Sequence, residues 1–185
     1  MEKIKHSFCF MIIVYLCHFT NCQGQEIISD DINYFVPASA IQTETQIFKG
    51  DLNRDNFEDI ILRFKMKDEP DYQEHFYLLT GQKNGKYKLA AKNDSFELDN
   101  VDGTVFDKIV IQNGYFSLEY IGYGNTSGSY HIITFKYSDS DKNWLLHRDG
   151  SKLVHRYSEV DPIESIRTQN DFGKILFKDY GIRWN

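Results

Sequence analysis

The chain has 185 residues and carries 21 Lys+Arg against 27 Asp+Glu, a formal charge of −6. That acidic balance argues against a nucleic-acid partner, which needs a basic stripe to displace counterions from phosphates. Hydrophobic residues make up 41% and aromatics 15%, enough to build a core and too much for a disordered chain.

Residues 1–25 read MEKIKHSFCFMIIVYLCHFTNCQGQ. Lys3 and Lys5 precede an apolar run of about twelve residues, Phe8 to Phe19, the two opening parts of a secretory signal. A bilayer span needs roughly 20 residues. The pattern predicts an export leader over 1–24, a single domain over 25–185, and no transmembrane span in the mature chain. Two processing routes compete. Cys22 and Gly24 fit the small-residue positions of a cleavage site before Gln25, which gives a secreted or periplasmic product. Alternatively, Phe19-Thr20-Asn21-Cys22 acts as a lipobox, and a lipid on Cys22 gives a membrane-anchored lipoprotein. Cys9, Cys17 and Cys22 are the three cysteines, and all lie in this leader. A product starting at Gln25 therefore has no disulfide, no cysteine nucleophile and no cysteine-based zinc site.

The mature chain opens on a polar entry segment, Glu26 to Thr45, with one apolar patch at Tyr34-Phe35-Val36. Short β-prone runs follow. In Asp59–Met66 the apolar residues Ile60, Leu62, Phe64 and Met66 recur at period two. His75–Thr80 leads through a turn at Gly81–Gly85 into Lys86–Ala90. Val105–Ile111 and Tyr115–Ile121 flank Gln112-Asn113-Gly114, and Asn-Gly between β-prone runs predicts a type I′ hairpin. Ser129–Tyr137 and Lys142–His147 pair around Ser138–Asp141. Lys152–Tyr157 and Lys174–Phe177 are the last strand candidates. Ser39–Gln46 and Pro162–Gln169 read as a turn or two of helix each. The spacing predicts an all-β antiparallel meander, as a sandwich or propeller-like sheets, with little helix.

One motif carries chemistry. Residues 50–62 read Gly-Asp-Leu-Asn-Arg-Asp-Asn-Phe-Glu-Asp-Ile-Ile-Leu. Asp51, Asn53, Asp55 and Asp59 stand at loop positions 1, 3, 5 and 9, and the Phe57 carbonyl adds an oxygen at position 7. A hard calcium ion takes six to eight oxygens at roughly 2.3–2.6 Å, and alternate side chains of a tight loop turn inward to supply them. Asn56 occupies the sharp bend where glycine is usual, and asparagine tolerates the left-handed conformation. Leu62 stands where an EF-hand has its bidentate Glu, and the loop runs into a strand. The pattern Asp-x-Asn-x-Asp-x-x-x-Asp instead resembles the calcium loops of FG-GAP (integrin α-type) repeats. More loosely, the Gly-Asp-Leu-Asn-x-Asp loop, Asp107–Gly114, Tyr123-Gly124 and Ile133–Tyr137 with Trp144-Leu145-Leu146 resemble a family of small exported bacterial β-meander proteins. That resemblance implies fold and export and brings no catalytic residues.

Other constellations are weaker. Asp139, Asp141 and Asn143 repeat the spacing, but His147 stands at position 9, so a hairpin turn is expected. Asp99–Gly103 reads as a loop. His131, His147 and His155 lie on β-prone runs where zinc would need them to converge. Gly122–Gly128 reads as a surface loop, with Tyr120, Tyr123 and Tyr130 offering contact area. No nucleophile elbow is present. The expectation is an exported, non-enzymatic, calcium-stabilised domain that binds another protein. The alternatives are a secreted hydrolase using carboxylates from distant strands and a structural envelope lipoprotein.

Overall fold

The computed structural model describes residues 26–70, 73–96, 104–155 and 161–181. The expected leader with Cys22 and the expected loop at Asp99–Gly103 lie outside the described residues. Ten strands lie among the described residues: β1 Ile28–Ser29, β2 Gln46–Gly50, β3 Asp59–Phe64, β4 Glu74–Gly81, β5 Tyr87–Phe96, β6 Thr104–Gln112, β7 Tyr115–Tyr123, β8 Ser127–Ser138, β9 Asn143–His155 and β10 Ile163–Thr168. They form two antiparallel five-stranded sheets, ordered β1-β5-β4-β3-β2 and β10-β9-β8-β7-β6. The all-β expectation holds.

Alternation along the strands explains the layering. Ile61, Phe76 and Leu78 of the first sheet face Leu118, Ile133 and Phe135 of the second in the main core. The intervening residues Ile60, Leu62, Phe64, Tyr77 and Leu79 point the other way, onto Phe35 and Ala40 of the entry segment. Every residue of β3 is therefore buried, which its period-two pattern alone did not foretell. At the predicted hairpin, Asn113 and Gly114 have φ of 52° and 76°, as a type I′ turn requires.

Several expectations are corrected. Pro162–Gln169 is mostly the strand β10, held by six residue pairs with β9; only Gln169–Phe172 is helical. The expected strand Lys174–Phe177 makes a single bridge, Leu145 to Leu176. Its residues Ile175 and Phe177, with Tyr180, instead plug the main core. Over the described residues 143–155, the expected strands Lys142–His147 and Lys152–Tyr157 fall on one continuous β9; Tyr157 lies outside the described residues. Strands β1 and β2 had no clear signal in the sequence. Among the described residues, no helix is long and apolar enough to cross a membrane.

Candidate metal centre

The β2–β3 connection folds around the side chains the sequence singles out. Asp51 Oδ1 accepts the N–H groups of Asn53, Arg54 and Asp55 at 3.3, 2.6 and 3.2 Å, and its Oδ2 accepts that of Asn56 at 3.2 Å. Asn53 Oδ1 accepts the Asp55 N–H at 3.0 Å, while its Nδ2 donates to Asp55 Oδ2 at 2.8 Å. Asp55 Oδ1 accepts the N–H of Phe57 at 2.9 Å. These nested Asx turns are the local chemistry that makes Asp and Asn turn formers. Arg54 and Asn56 take φ of 65° and 66°, so the asparagine at the bend does adopt the left-handed conformation.

Asp59 is different in kind. It is fully buried, and its Oδ2 accepts the Leu52 N–H while its Oδ1 accepts the Gly81 N–H, each at 2.8 Å. It ties the loop to the far end of β4. Burial, partly offset by those two hydrogen bonds, and the charges of Asp55 and Asp51 push its carboxyl up to about 6. The same carboxylates are felt further out. Burial first, then Asp139, Asp55 and Asp59, raises the Tyr137 phenol.

The loop is anchored to the second sheet at three points. Leu52 inserts into the main core, and its carbonyl accepts the indole N–H of Trp144 on β9 at 2.8 Å. Arg54 pairs with Asp139 of the β8–β9 turn at 2.5 Å. The aliphatic stem of Arg54 also lies over Gly114, where an added Cβ would stand 2.7 Å from its Cγ. Gly114 has positive φ as well. Gly114→Ala is therefore expected to destabilise by about 1–2 kcal/mol through strain and displacement of Arg54. A chemical denaturation curve checks it.

The structure brings Asp51, Asn53 and Asp55 into direct contact, with Asp59 behind them; the ring of Phe57 is exposed. Among the described residues, no three His, Cys, Asp or Glu side chains form a metal-holding group. The cluster instead interleaves an amide between two carboxylates. Its donors are all hard oxygens, which fits calcium rather than a soft metal. Asp51, Asn53, Asp55, the Phe57 carbonyl and Asp59 are the groups that would hold it.

The other candidates separate. His131 pairs with Ser151, midway between His147 and His155 on β9. Those two are eight residues apart on one strand, roughly 27 Å, so the three histidines do not converge. Tyr120 is buried and donates to Glu74 at 2.8 Å, while Tyr123 and Tyr130 are exposed. Asp141 pairs with Lys174 and accepts from Ser138, as a turn residue does. One cluster had no sequence signal: buried His75 lies between Glu69 and Asp94 and stacks on Phe64. Burial opposes ionisation of Asp94, but Lys92, His75 and Tyr77 together hold its carboxyl below the ordinary value. Comparison with protein-family models, curated proteins and solved structures found no match, so the assignment of the Asp51–Asp59 loop rests on its own residues.

Proposed function

We propose that this chain is an exported, non-enzymatic binding domain that calcium stabilises through the Asp51–Asp59 loop, with another protein as its partner. One observation carries the calcium reading. A fully buried carboxylate, Asp59, stands in the field of Asp51 and Asp55: burial first, and then the charges of those two, raise its carboxyl to about 6. A divalent cation relieves the repulsion among them without dismantling the turn. The spacing shared with FG-GAP loops supports the same reading, and the leader supports export. The loop is pinned to both sheets by Asp59, Trp144 and Arg54. An ion there stabilises the junction and acts as a structural group.

The test is thermal unfolding with calcium and with chelator, alongside Asp55→Ala. A ligand that binds only the folded state adds about 2.7 kcal/mol at 100 times its dissociation constant. A calcium-dependent rise in melting temperature that Asp55→Ala abolishes is the expected result. No response to millimolar calcium would overturn the metal reading and leave the loop as an Asx-rich turn.

A further inference from the structure

Three of the four sheet edges are short or covered. β1 has two residues. β2 and β6 meet at one corner, where Phe48 packs edge-on against Phe106 and Gly50 abuts Ile111. The fourth edge, β10, is neither. All six of its residues are exposed, it carries no proline, and its register with β9 is unbroken. Among the described residues nothing pairs with its outer side. Natural sheets rarely leave such an edge unguarded, because its free N–H and C=O groups template another strand.

The outer face beside this edge carries one apolar row between two charged ones. Register places Ile132 of β8, Gly150 of β9 and Ile166 of β10 in one row. The missing side chain at Gly150 leaves a groove of about 440 Å³ between the two isoleucines, with Tyr130 at its end. Ile132 and Ile166 are 42% and 50% exposed. The neighbouring row runs Thr134, Arg148, Thr168, and the row on the other side runs Tyr130, Lys152, Glu164. Lys152 is bonded to Glu164 at 2.8 Å. Arg148 has no ion-pair partner among the described residues, and its guanidinium lies over Gly150.

We propose that β10 is a self-association edge: two copies of this chain pair β10 antiparallel to β10, about a two-fold axis at Ile166, and fuse their second sheets into one. An axis normal to the sheet allows only residues of the same face to stand opposite one another. Centred on Ile166, the register sets Ile166 against Ile166 of the second copy and extends the apolar row across the junction. It also sets Thr168 opposite Glu164 of the second copy. Arg148 is the next residue in that row, two strand spacings of about 4.8 Å from the glutamate. Two long side chains span that gap, so the unpaired Arg148 meets an acid from the other copy. On the opposite face, Ser165 stands across from Arg167, and no like charges oppose each other. A six-residue strand pairing falls at the small end of specific interfaces, so the dimer dissociates on dilution.

The proposal is independent of the calcium loop, and its test is sedimentation of the purified protein from micromolar to near-millimolar concentration, with chelator present. The expected result is a monomer–dimer equilibrium. Arg148→Glu places two acids together and raises the dissociation constant about tenfold or more. Ile166→Asp does the same, and circular dichroism of both variants checks that the fold is intact. The triple change Arg148→Glu, Lys152→Glu and Glu164→Arg reverses every charge in the two rows and restores association. A wild-type chain that stays monomeric throughout, or an Arg148→Glu variant that associates as well as wild type, would overturn the proposal. A monomer that instead takes up an extended peptide of another protein would overturn it too.

Discussion

Asp59→Ala is expected to lower the unfolding free energy by about 3–5 kcal/mol, because it leaves two buried backbone N–H groups without acceptors. Those groups belong to Leu52 and Gly81, each 2.8 Å from one carboxylate oxygen. No water replaces the lost acceptor without a rearrangement, since Asp59 and Leu52 are fully buried. Gly81 has no room to move aside: an added Cβ there would stand 2.3 Å from the Glu58 carbonyl oxygen. Asp59→Asn keeps one acceptor and presents an amide donor to the other N–H, so its loss is smaller. Urea denaturation of the two variants orders them: wild type above asparagine, asparagine above alanine.

The same residue fixes a pH dependence in chelated protein. Its carboxyl is pushed from the ordinary 3.8 up to about 6, so the folded chain holds the proton more tightly than the unfolded one. The proton-linked part of Asp59's contribution is then full below the unfolded value and is lost as pH rises through about 6. The shift of about two units corresponds to about 3 kcal/mol. Asp94, Asp141 and Glu164 are shifted the other way, so their contributions fall as pH falls. Subtracting the Asp59→Asn profile from the wild-type profile isolates the Asp59 part. Calcium, which favours the ionised carboxylate, is expected to flatten that difference. A difference that stays flat in chelator as well would mean that Asp59 is not held near 6.

What the sequence disclosed was what neighbouring residues decide among themselves. Asn113-Gly114 announces its hairpin because only the two turn residues set the backbone there. The Asp51, Asn53 and Asp55 turns were legible for the same reason, and so was the left-handed Asn56. Contacts across the chain were not. Nothing local indicates that Asp59 meets Gly81, 22 residues on, or that Trp144 caps Leu52, 92 residues away. Strand β10 was missed because both of its faces are exposed, so burial imposed no alternation for a pattern to reveal. Lys174–Phe177 misled in the opposite direction. Its apolar spacing suited a strand, yet Ile175, Phe177 and Tyr180 fill the core around one β-bridge at Leu176 and a single 3-10 turn, Phe177–Asp179. Asn93 fixes that segment by donating to the carbonyls of Phe177 and Tyr180 at 2.8 Å each.

Glu74→Ala is expected to be as damaging as any core truncation, at about 3–5 kcal/mol, because it strands a buried arginine. Arg63 on β3 and Glu74 on β4 form an ion pair that is nearly inaccessible on both sides. Tyr120 donates to the second carboxylate oxygen from the facing sheet. Burial, then the charge of Glu74, drives the Tyr120 phenol well above its ordinary value, so it remains a neutral donor. The Arg63 guanidinium lies 4.0 Å from the centre of the Phe106 ring, also on the facing sheet, and Gln46 accepts from it at 3.1 Å. Its Nε has no hydrogen-bond partner among the described residues. The pair thus links both sheets, yet it is imperfectly satisfied. Desolvating two charges costs more when one donor stays unpaired, so an apolar replacement of both is expected to fold well. Arg63→Met with Glu74→Leu should be near neutral or more stable than wild type, whereas either single change is strongly destabilising. A double-mutant cycle in urea reads the coupling directly. Two single losses that simply add would show that the pair contributes no more than its packing; a recovered double variant would show that the two charges are strongly coupled yet add no stability beyond what an apolar pair supplies.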